Sequence, residues 1–191
     1  KICVMKILLA SQSPRRKELL EKLGYNFEVV KFSCDESFPE TIPTAEVAGY
    51  ISEKKADFYE NLKDDEVLIT SDTVVVLNDE ILGKPKDFED AFQMLKKLSG
   101  KTHEVYSGIT IKTTSETITK VDRASVTFLE ISDDEIRYYL ENDKPFDKAG
   151  SYGIQDWLGM AKINKLEGSY YTIMGLPTHL VYVELVRLMK P

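Results

Sequence analysis

The chain has 191 residues, 42% of them hydrophobic and 30% charged, and its formal net charge is −7. This length suffices for one α/β domain, or two small lobes, with a sizeable core, and the composition is ordinary for a soluble globular protein. The negative net charge argues against a protein that binds along a nucleic-acid backbone. The two cysteines, Cys3 and Cys34, are too few for a disulfide framework. No apolar run reaches membrane-spanning length. We therefore expect a cytoplasmic protein that has neither a membrane nor a nucleic-acid polymer as its partner.

The first strand-like run, residues 7–10, ends in small polar residues and leads into a helix. Ser13 stands where an N-cap belongs and Pro14 where the first helical residue belongs. Backbone N–H groups at such a helix end are free and carry partial positive charge, which favours a site for an anion such as a phosphate chain. A capped surface helix with solvated arginines is the alternative. The hydroxyls and guanidinium groups of this turn belong to Ser11, Ser13, Arg15 and Arg16.

A carboxylate interrupts the next strongly apolar stretch. After a short strand near residues 27–31 and a helix that Thr44 caps and that runs to about residue 61, two strand-like runs at 67–69 and 74–77 flank Asp72. A buried carboxylate is costly unless it is paired, hydrogen-bonded or metal-bound. We therefore interpret Asp72 as a functional residue rather than as a turn or cap residue.

The second half of the chain mixes hairpins with helices. The predicted elements are a turn at 78–79 into a strand at 80–82, a helix capped by Asp87 and closed by Gly100, a hairpin of 103–111 with 117–129, a helix opened by a capping box at Ser132, a possible hairpin over 160–172 and a last helix starting at Pro177. Such a mixture predicts one α/β domain over 1–191 with a mixed rather than a purely parallel sheet.

Several motifs resemble one known family. Ser-Gln-Ser-Pro-Arg-Arg at 11–16 is similar to the signature of the Maf proteins, nucleoside triphosphate pyrophosphatases first named for inhibition of septum formation. Residues 71–75, 83–85, 98–105 and 175–177 follow in the family's order and spacing. The resemblance covers nearly the whole chain and implies an elongated central mixed β-sheet flanked by helices. Two lobes would surround a nucleotide cleft, as in inosine triphosphate pyrophosphatases.

The resemblance also implies roles for individual residues. Asp72 would accept the catalytic proton, with Glu36 and Asp72 beside a divalent metal, Mg²⁺ or Mn²⁺. The implied substrate-binding residues are Ser11, Ser13, Arg15, Arg16, Lys55, Thr73, Lys84, Lys148 and Gln155. From the residue types alone, Glu36 fits a solvated acidic loop and Lys55 a solvated helix face. Lys84 fits an ordinary surface lysine in a stiff Gly-Lys-Pro turn.

The stretch 148–155 indicates a branch of the family. It is similar to the branch acting on dTTP and UTP, in which the matched Arg15, Thr73 and Gln155 set base specificity. A glutamine amide offers a donor and an acceptor, which suits the acceptor–donor–acceptor edge of uracil or thymine. The family usually has a small glycine-rich turn after this glutamine, whereas here residues 156–159 (Asp-Trp-Leu-Gly) follow it and the segment is one residue longer. The tryptophan there either stacks on a base or anchors the loop by burial.

The resulting expectation is a metal-dependent enzyme in which water attacks the α-phosphorus of a nucleoside triphosphate. The products would be a nucleoside monophosphate and pyrophosphate, in a house-cleaning role that removes non-standard or excess nucleotides. By family resemblance, a homodimer is expected. Two alternatives stay open: a nucleotide-binding regulator of septum formation without turnover, and a phosphatase that releases orthophosphate.

Overall fold

A computed structural model describes residues 5–189, so Cys3 lies outside the described residues. The strands are β1 (Lys6–Leu9), β2 (Phe27–Val29), β3 (Glu66–Leu77), β4 (Glu80–Leu82), β5 (Thr102–Lys112), β6 (Thr117–Phe128) and β7 (Ile163–Glu167). The helices are α1 (Pro14–Lys22), α2 (Thr44–Phe58), α3 (Phe88–Leu98), α4 (Asp133–Asp143), α5 (Trp157–Lys162), α6 (Tyr170–Met174) and α7 (Thr178–Met189), with a 3₁₀ turn at Ala149–Ser151. Among residues 5–189, none of the helices combines the length and the apolar character that a membrane span requires.

The strands form a mixed sheet in the order β2-β1-β3-β5-β6-β7, with β4 paired to β3. β1 runs parallel to β2 and to β3, whereas the β3–β4 and β6–β7 pairs are antiparallel. The predicted mixed sheet flanked by helices is therefore confirmed. Residues 7–9 of β1 are buried, and β3 is buried along its length except at Asp72 and Thr73, which are partly buried, as is typical of strands inside a covered sheet.

The chain divides into two compact units whose boundaries fall within β3, β5 and β6. The first unit comprises the described residues up to Asp72, Ser107–Asp122 and those from Gly175 onward. The second unit comprises Thr73–Tyr106 and Arg123–Met174.

In the first unit, α2 lies directly on β5 at Gly108. A Cβ atom at this position would lie 2.4 Å from the carbonyl oxygen of Ala48 and 2.6 Å from the amide nitrogen of Gly49. Only glycine allows the two backbones to approach this closely. This contact sets the position of α2, which also carries Lys55.

In the second unit, a buried cluster joins α3, α4, β5 and β6 with the segment after α4. Its members include Leu95, Val105, Phe128, Tyr139, Tyr152 and Leu158, which are all at most 5% exposed. The segment 149–158 is thus part of the core on one side, although it contains little regular structure. Its backbone is consequently fixed by packing rather than by a strand or a long helix.

Most of the predicted helix ends and turns are confirmed. Ser13 caps α1, Asp87 caps α3, and Ser132 forms a capping box with Glu135 at the start of α4. The turn at 78–79 joins β3 and β4 as an antiparallel hairpin, with positive φ at both residues. Thr44 is not a cap, however, because α2 already begins at this residue.

Two predictions about strands are wrong. The runs 67–69 and 74–77 are one continuous strand, β3, in which Asp72 forms an ion pair with Lys55. Residues 160–172 do not form a hairpin. β7 pairs instead with the distant β6, and Gly168, at φ 99°, turns the chain into α6 rather than into a second strand.

Candidate functional site

The turn between β1 and α1 is held by its own hydroxyl groups. Ser11 Oγ accepts a hydrogen bond from the amide of Ser13 at 3.2 Å, and Ser13 Oγ accepts one from the amide of Arg16 at 3.5 Å. These bonds shape the N-terminal turn of α1, where the backbone dipoles favour an anion. Arg15 and Arg16 follow in the first turn, and both are partly buried.

Arg16 is anchored by the backbone of a distant segment. Its Nε donates to the carbonyl oxygen of Gly175 at 2.8 Å, and Ser71 Oγ donates to the same oxygen at 3.1 Å. Burial lowers the pKa of Arg16, and the nearby Asp72 carboxylate acts in the opposite direction. An arginine stays protonated despite such a shift, so a positive charge is held beside Asp72.

Lys55 lies at the centre of three charged residues, Glu36, Lys55 and Asp72, which we call the Lys55 cluster. Its Nζ is 2.8 Å from Asp72 Oδ1 and 2.8 Å from Glu36 Oε1. The side chains of Lys55 and Asp72 are only 13% exposed, whereas that of Glu36 is 55% exposed. One ammonium group therefore forms ion pairs with two carboxylates that belong to different segments of the chain.

The periodicities of α2 and β3 explain why Lys55 and Asp72 lie close together. Ser52 and Lys55 are three residues apart on α2, and Thr70 and Asp72 are two residues apart on β3, so each pair shares one side of its element. Ser52 Oγ lies 3.2 Å from Thr70 Oγ1, and Lys55 pairs with Asp72. The buried hydroxyl pair fixes the register that brings the charged pair together.

The two carboxylates fit a divalent cation. Glu36 and Asp72 converge on one point, since both lie 2.8 Å from the same ammonium group. Mg²⁺ is typically bound by one or two carboxylates together with substrate phosphates, rather than by a complete protein cage. The described part of the chain contains no group of three or more His, Cys, Asp or Glu side chains that could hold a metal ion.

A second lysine ties down the loop that carries Glu36. Lys54 Nζ lies 3.0 Å from Asp35 Oδ2 and 2.8 Å from the carbonyl oxygen of Ser37. The hydroxyl and the amide of Ser37 donate to the Asp35 carboxylate, and these bonds together with Lys54 lower the pKa of Asp35 to about 2. The sequence analysis missed this role of Lys54. The sequence feature that could have indicated it is the presence of two adjacent acids at 35–36 and two adjacent lysines at 54–55.

In the second unit, the loops bearing Lys84 and Lys148 are hydrogen-bonded to each other. The amide of Gly150 donates to the carbonyl oxygen of Gly83 at 3.0 Å. Gly150 has φ 68°, and a Cβ atom there would lie 3.0 Å from Val75, so the position requires glycine. Lys148 Nζ pairs with Asp147 at 3.1 Å, and Lys84 is exposed.

The remaining predicted residues are placed as follows. Thr73 is partly buried in β3, and the side chain of Gln155 is exposed at the turn before α5. Trp157 packs against the core of the second unit, and its ring meets that of Tyr138 edge-on with 5.1 Å between centroids. This packing favours a role for Trp157 as an anchor of the loop over a role in stacking on a base.

From the sequence, His103 is assigned to a strand but not to the core, whereas the structure places it in β5 as a buried residue. His103 is 1% exposed, and its Nε2 lies 2.7 Å from the hydroxyl of Tyr152. Among the described residues, its Nδ1 has no hydrogen-bond partner, and burial lowers the pKa of His103 to about 4. The alternation of apolar residues along β5 was the available signal, because His103 occupies an inward position.

Known proteins resemble this chain over almost its full length. A family model described as "Maf-like protein" matches residues 6–188. A curated dTTP/UTP pyrophosphatase of Flavobacterium psychrophilum is 49% identical over 182 residues, which are 95% of this chain and 93% of that protein. Proteins of the same name from Phocaeicola vulgatus and Thermosipho africanus are each 47% identical, covering 96% and 93% of this chain and 96% and 91% of theirs.

Among solved structures, the Ham1 protein of Staphylococcus aureus matches 67% of this chain and 72% of its own length. The sequence identity is 19% and the TM-score is 0.42, an overlap too partial to support any assignment.

Proposed function

Because this chain belongs to the family of Maf-like proteins, we propose that it is a nucleoside triphosphate pyrophosphatase that converts dTTP and UTP to the monophosphate and pyrophosphate. The observation that carries the proposal is the 49% identity, over 95% of the chain, to a relative named for this activity. The Lys55 cluster supplies the groups that such chemistry needs.

Asp72 is the residue to which we assign proton acceptance. Its carboxylate accepts the proton of the water molecule that attacks the α-phosphorus, and pyrophosphate leaves. Lys55, 2.8 Å away, holds this carboxylate in one orientation. A base positioned in this way raises the rate only if it lies within hydrogen-bond reach of the water, which its partial exposure permits.

The cationic side chains bind the phosphates. Arg15 and Arg16 stand at the N-terminal turn of α1, where the helix dipole adds to their positive charge. Lys55 and Lys84 add two ammonium groups. Charge that develops on the leaving pyrophosphate is stabilised by such preorganised donors.

A divalent cation, Mg²⁺ or Mn²⁺, belongs to this proposal. Glu36 and Asp72 are the residues that would hold it. When bound, such a cation supplies electrostatic stabilisation of phosphate charge.

We assign recognition of the base to Gln155, in the exposed turn before α5, together with Arg15 and Thr73. Gln155 offers its amide to the uracil or thymine edge, and Arg15 and Thr73 complete the specificity set. Lys148, in the same loop, adds a positive charge for the substrate.

A nucleotide panel with Mg²⁺ or Mn²⁺ tests the proposal, provided that pyrophosphate and orthophosphate are measured separately. We expect pyrophosphate from dTTP and UTP and little from purine nucleotides. Asp72→Asn should lower kcat by about 10²-fold or more, since a general base contributes 10²–10⁴-fold, while nucleotide binding persists. Binding without turnover in the wild-type protein would support a nucleotide-sensing regulator instead, and release of orthophosphate would support a phosphatase.

A further inference from the structure

The turn that presents Gln155 is tied at both ends to one hydroxyl group. Residues 153–156 form a tight turn in which the amide of Asp156 donates to the carbonyl oxygen of Gly153 at 3.1 Å. The hydroxyl of Tyr139 accepts a hydrogen bond from the amide of Gly153 at 3.1 Å and donates one to Asp156 Oδ2 at 2.8 Å. We call these three residues, Tyr139, Gly153 and Asp156, the clasp.

The clasp is held in place because the tyrosine that supplies its hydroxyl group is buried in the core. Tyr139 lies on α4 and is 0% exposed. Burial, followed by the Asp156 charge, raises the pKa of Tyr139, so the hydroxyl remains a neutral donor. A Cβ atom at Gly153 would lie 2.5 Å from Asp156 Oδ2, so this glycine lets the carboxylate close over the turn.

The carboxylate of the clasp also faces a second substrate-binding candidate. Lys148 Nζ lies 3.6 Å from Asp156 Oδ2, and the Lys148 side chain is only 15% exposed. Asp156 is therefore next to both substrate-binding candidates of this segment, because it follows Gln155 in the chain and its carboxylate is close to Lys148. It belongs to the Asp-Trp pair that departs from the glycine-rich turn expected after the glutamine.

We propose that Tyr139 and Asp156 are positioning residues for base selection, because their hydrogen bond holds the backbone that aims Gln155 at the base. The inference rests on the proposed function, in which Gln155 contacts the base. Gln155 itself is exposed, so its own contacts do not hold it in one direction. A turn ordered in advance lowers the entropy lost when the amide pairs with a base edge, and this raises affinity for the matching base.

The test compares the ratio of kcat/KM for UTP to that for GTP in matched variants. Tyr139→Phe removes only the hydroxyl, and Asp156→Ala removes its acceptor. Asp156→Asn is the conservative rescue, since its amide oxygen still accepts from Tyr139. Tyr138→Phe is the control, because it removes the hydroxyl of the neighbouring tyrosine, which is 52% exposed and packs on Trp157.

We expect the UTP preference to fall about fivefold in Asp156→Ala, which loses one hydrogen bond, and at least as much in Tyr139→Phe, which loses two. The loss should appear as a higher KM for UTP with kcat within about twofold of wild type. Asp156→Asn and Tyr138→Phe should keep the wild-type ratio. A rise in KM shared by UTP and GTP in Asp156→Asn reports the lost charge beside Lys148.

A merely structural role would lower stability in Tyr139→Phe and Asp156→Ala without changing the ratio, and this result would overturn the proposal. Dissociation constants for non-hydrolysable UTP and GTP analogues give the same comparison without turnover. A failure of the proposed chemistry therefore remains distinguishable from a failure of the clasp. Equal binding of both analogues by the wild-type protein would also overturn the inference.

Discussion

At the scale of single residues, Asp72 shows how a charge is accommodated within an apolar strand. The flanking residues of β3 are buried, and an unpaired carboxylate there would cost several kcal/mol. Lys55 removes most of this cost, and it receives Glu36 as a second partner. Removing Lys55 leaves the largely buried Asp72 carboxylate without this ion pair, so we expect substitutions of Lys55 to lower stability as well as turnover.

His103 makes a pH-dependent contribution to stability. Burial holds its pKa near 4 in the folded protein, below the ordinary value of 6.5, so the unfolded chain binds the proton more readily. This contribution is fully present above pH 6.5 and is lost as the pH falls from 6.5 toward 4. By linkage, the loss amounts to roughly 3 kcal/mol in the free energy of unfolding.

Urea unfolding followed by Trp157 fluorescence measures this effect, since Trp157 is the only tryptophan and belongs to the same unit as His103. His103→Gln should show a shallower decline between pH 6.5 and pH 4 than the wild-type protein. His179→Gln is the control, because that histidine is 51% exposed. Identical pH profiles for His103→Gln and the wild type would contradict the assignment.

At the scale of secondary-structure elements, the contact of α2 with β5 positions Lys55 and its two carboxylate partners. Gly108→Ala would place a methyl group 2.4 Å from the carbonyl oxygen of Ala48, so helix and strand must separate. Overpacking of this kind costs about 1–3 kcal/mol, which lowers the melting temperature by about 2–12 °C in a chain of this size. Activity should fall as well, because Lys55 moves with α2.

Thermal unfolding by circular dichroism tests this prediction. Gly83→Ala serves as the control for stability, since a Cβ atom at Gly83 meets nothing within 4 Å. Its melting temperature should stay within about 2 °C of the wild-type value, as for most surface substitutions. Equal melting temperatures for the two variants would show that α2 does not depend on Gly108.

At the scale of the whole molecule, the net charge of −7 selects against polyanions. Non-specific binding to nucleic acid depends on the release of counterions by many basic groups, whereas a nucleotide needs only a few at one place. Fluorescence anisotropy with a labelled single-stranded oligonucleotide should therefore show no saturable binding at physiological salt and micromolar protein. A non-hydrolysable UTP analogue is the positive control, and salt-sensitive oligonucleotide binding would refute the prediction.

The chain's local signals predicted its local structure well. The caps at Ser13, Asp87 and Ser132 and the turn at 78–79 depend on residues a few positions apart, so neighbouring sequence is sufficient to determine them. The family motifs likewise singled out Asp72 and Lys55 as site candidates before any contact between them was known.

Contacts between distant residues required the three-dimensional structure. Lys55 contacts Asp72 only because α2 packs on the sheet, and β3 is continuous through Asp72, which carries that ion pair. β7 pairs with β6 rather than with a segment next to it in the chain. Tyr139, on α4, donates a hydrogen bond to Asp156 in the turn before α5. Such contacts depend on packing across the fold, which no local pattern of residue types contains.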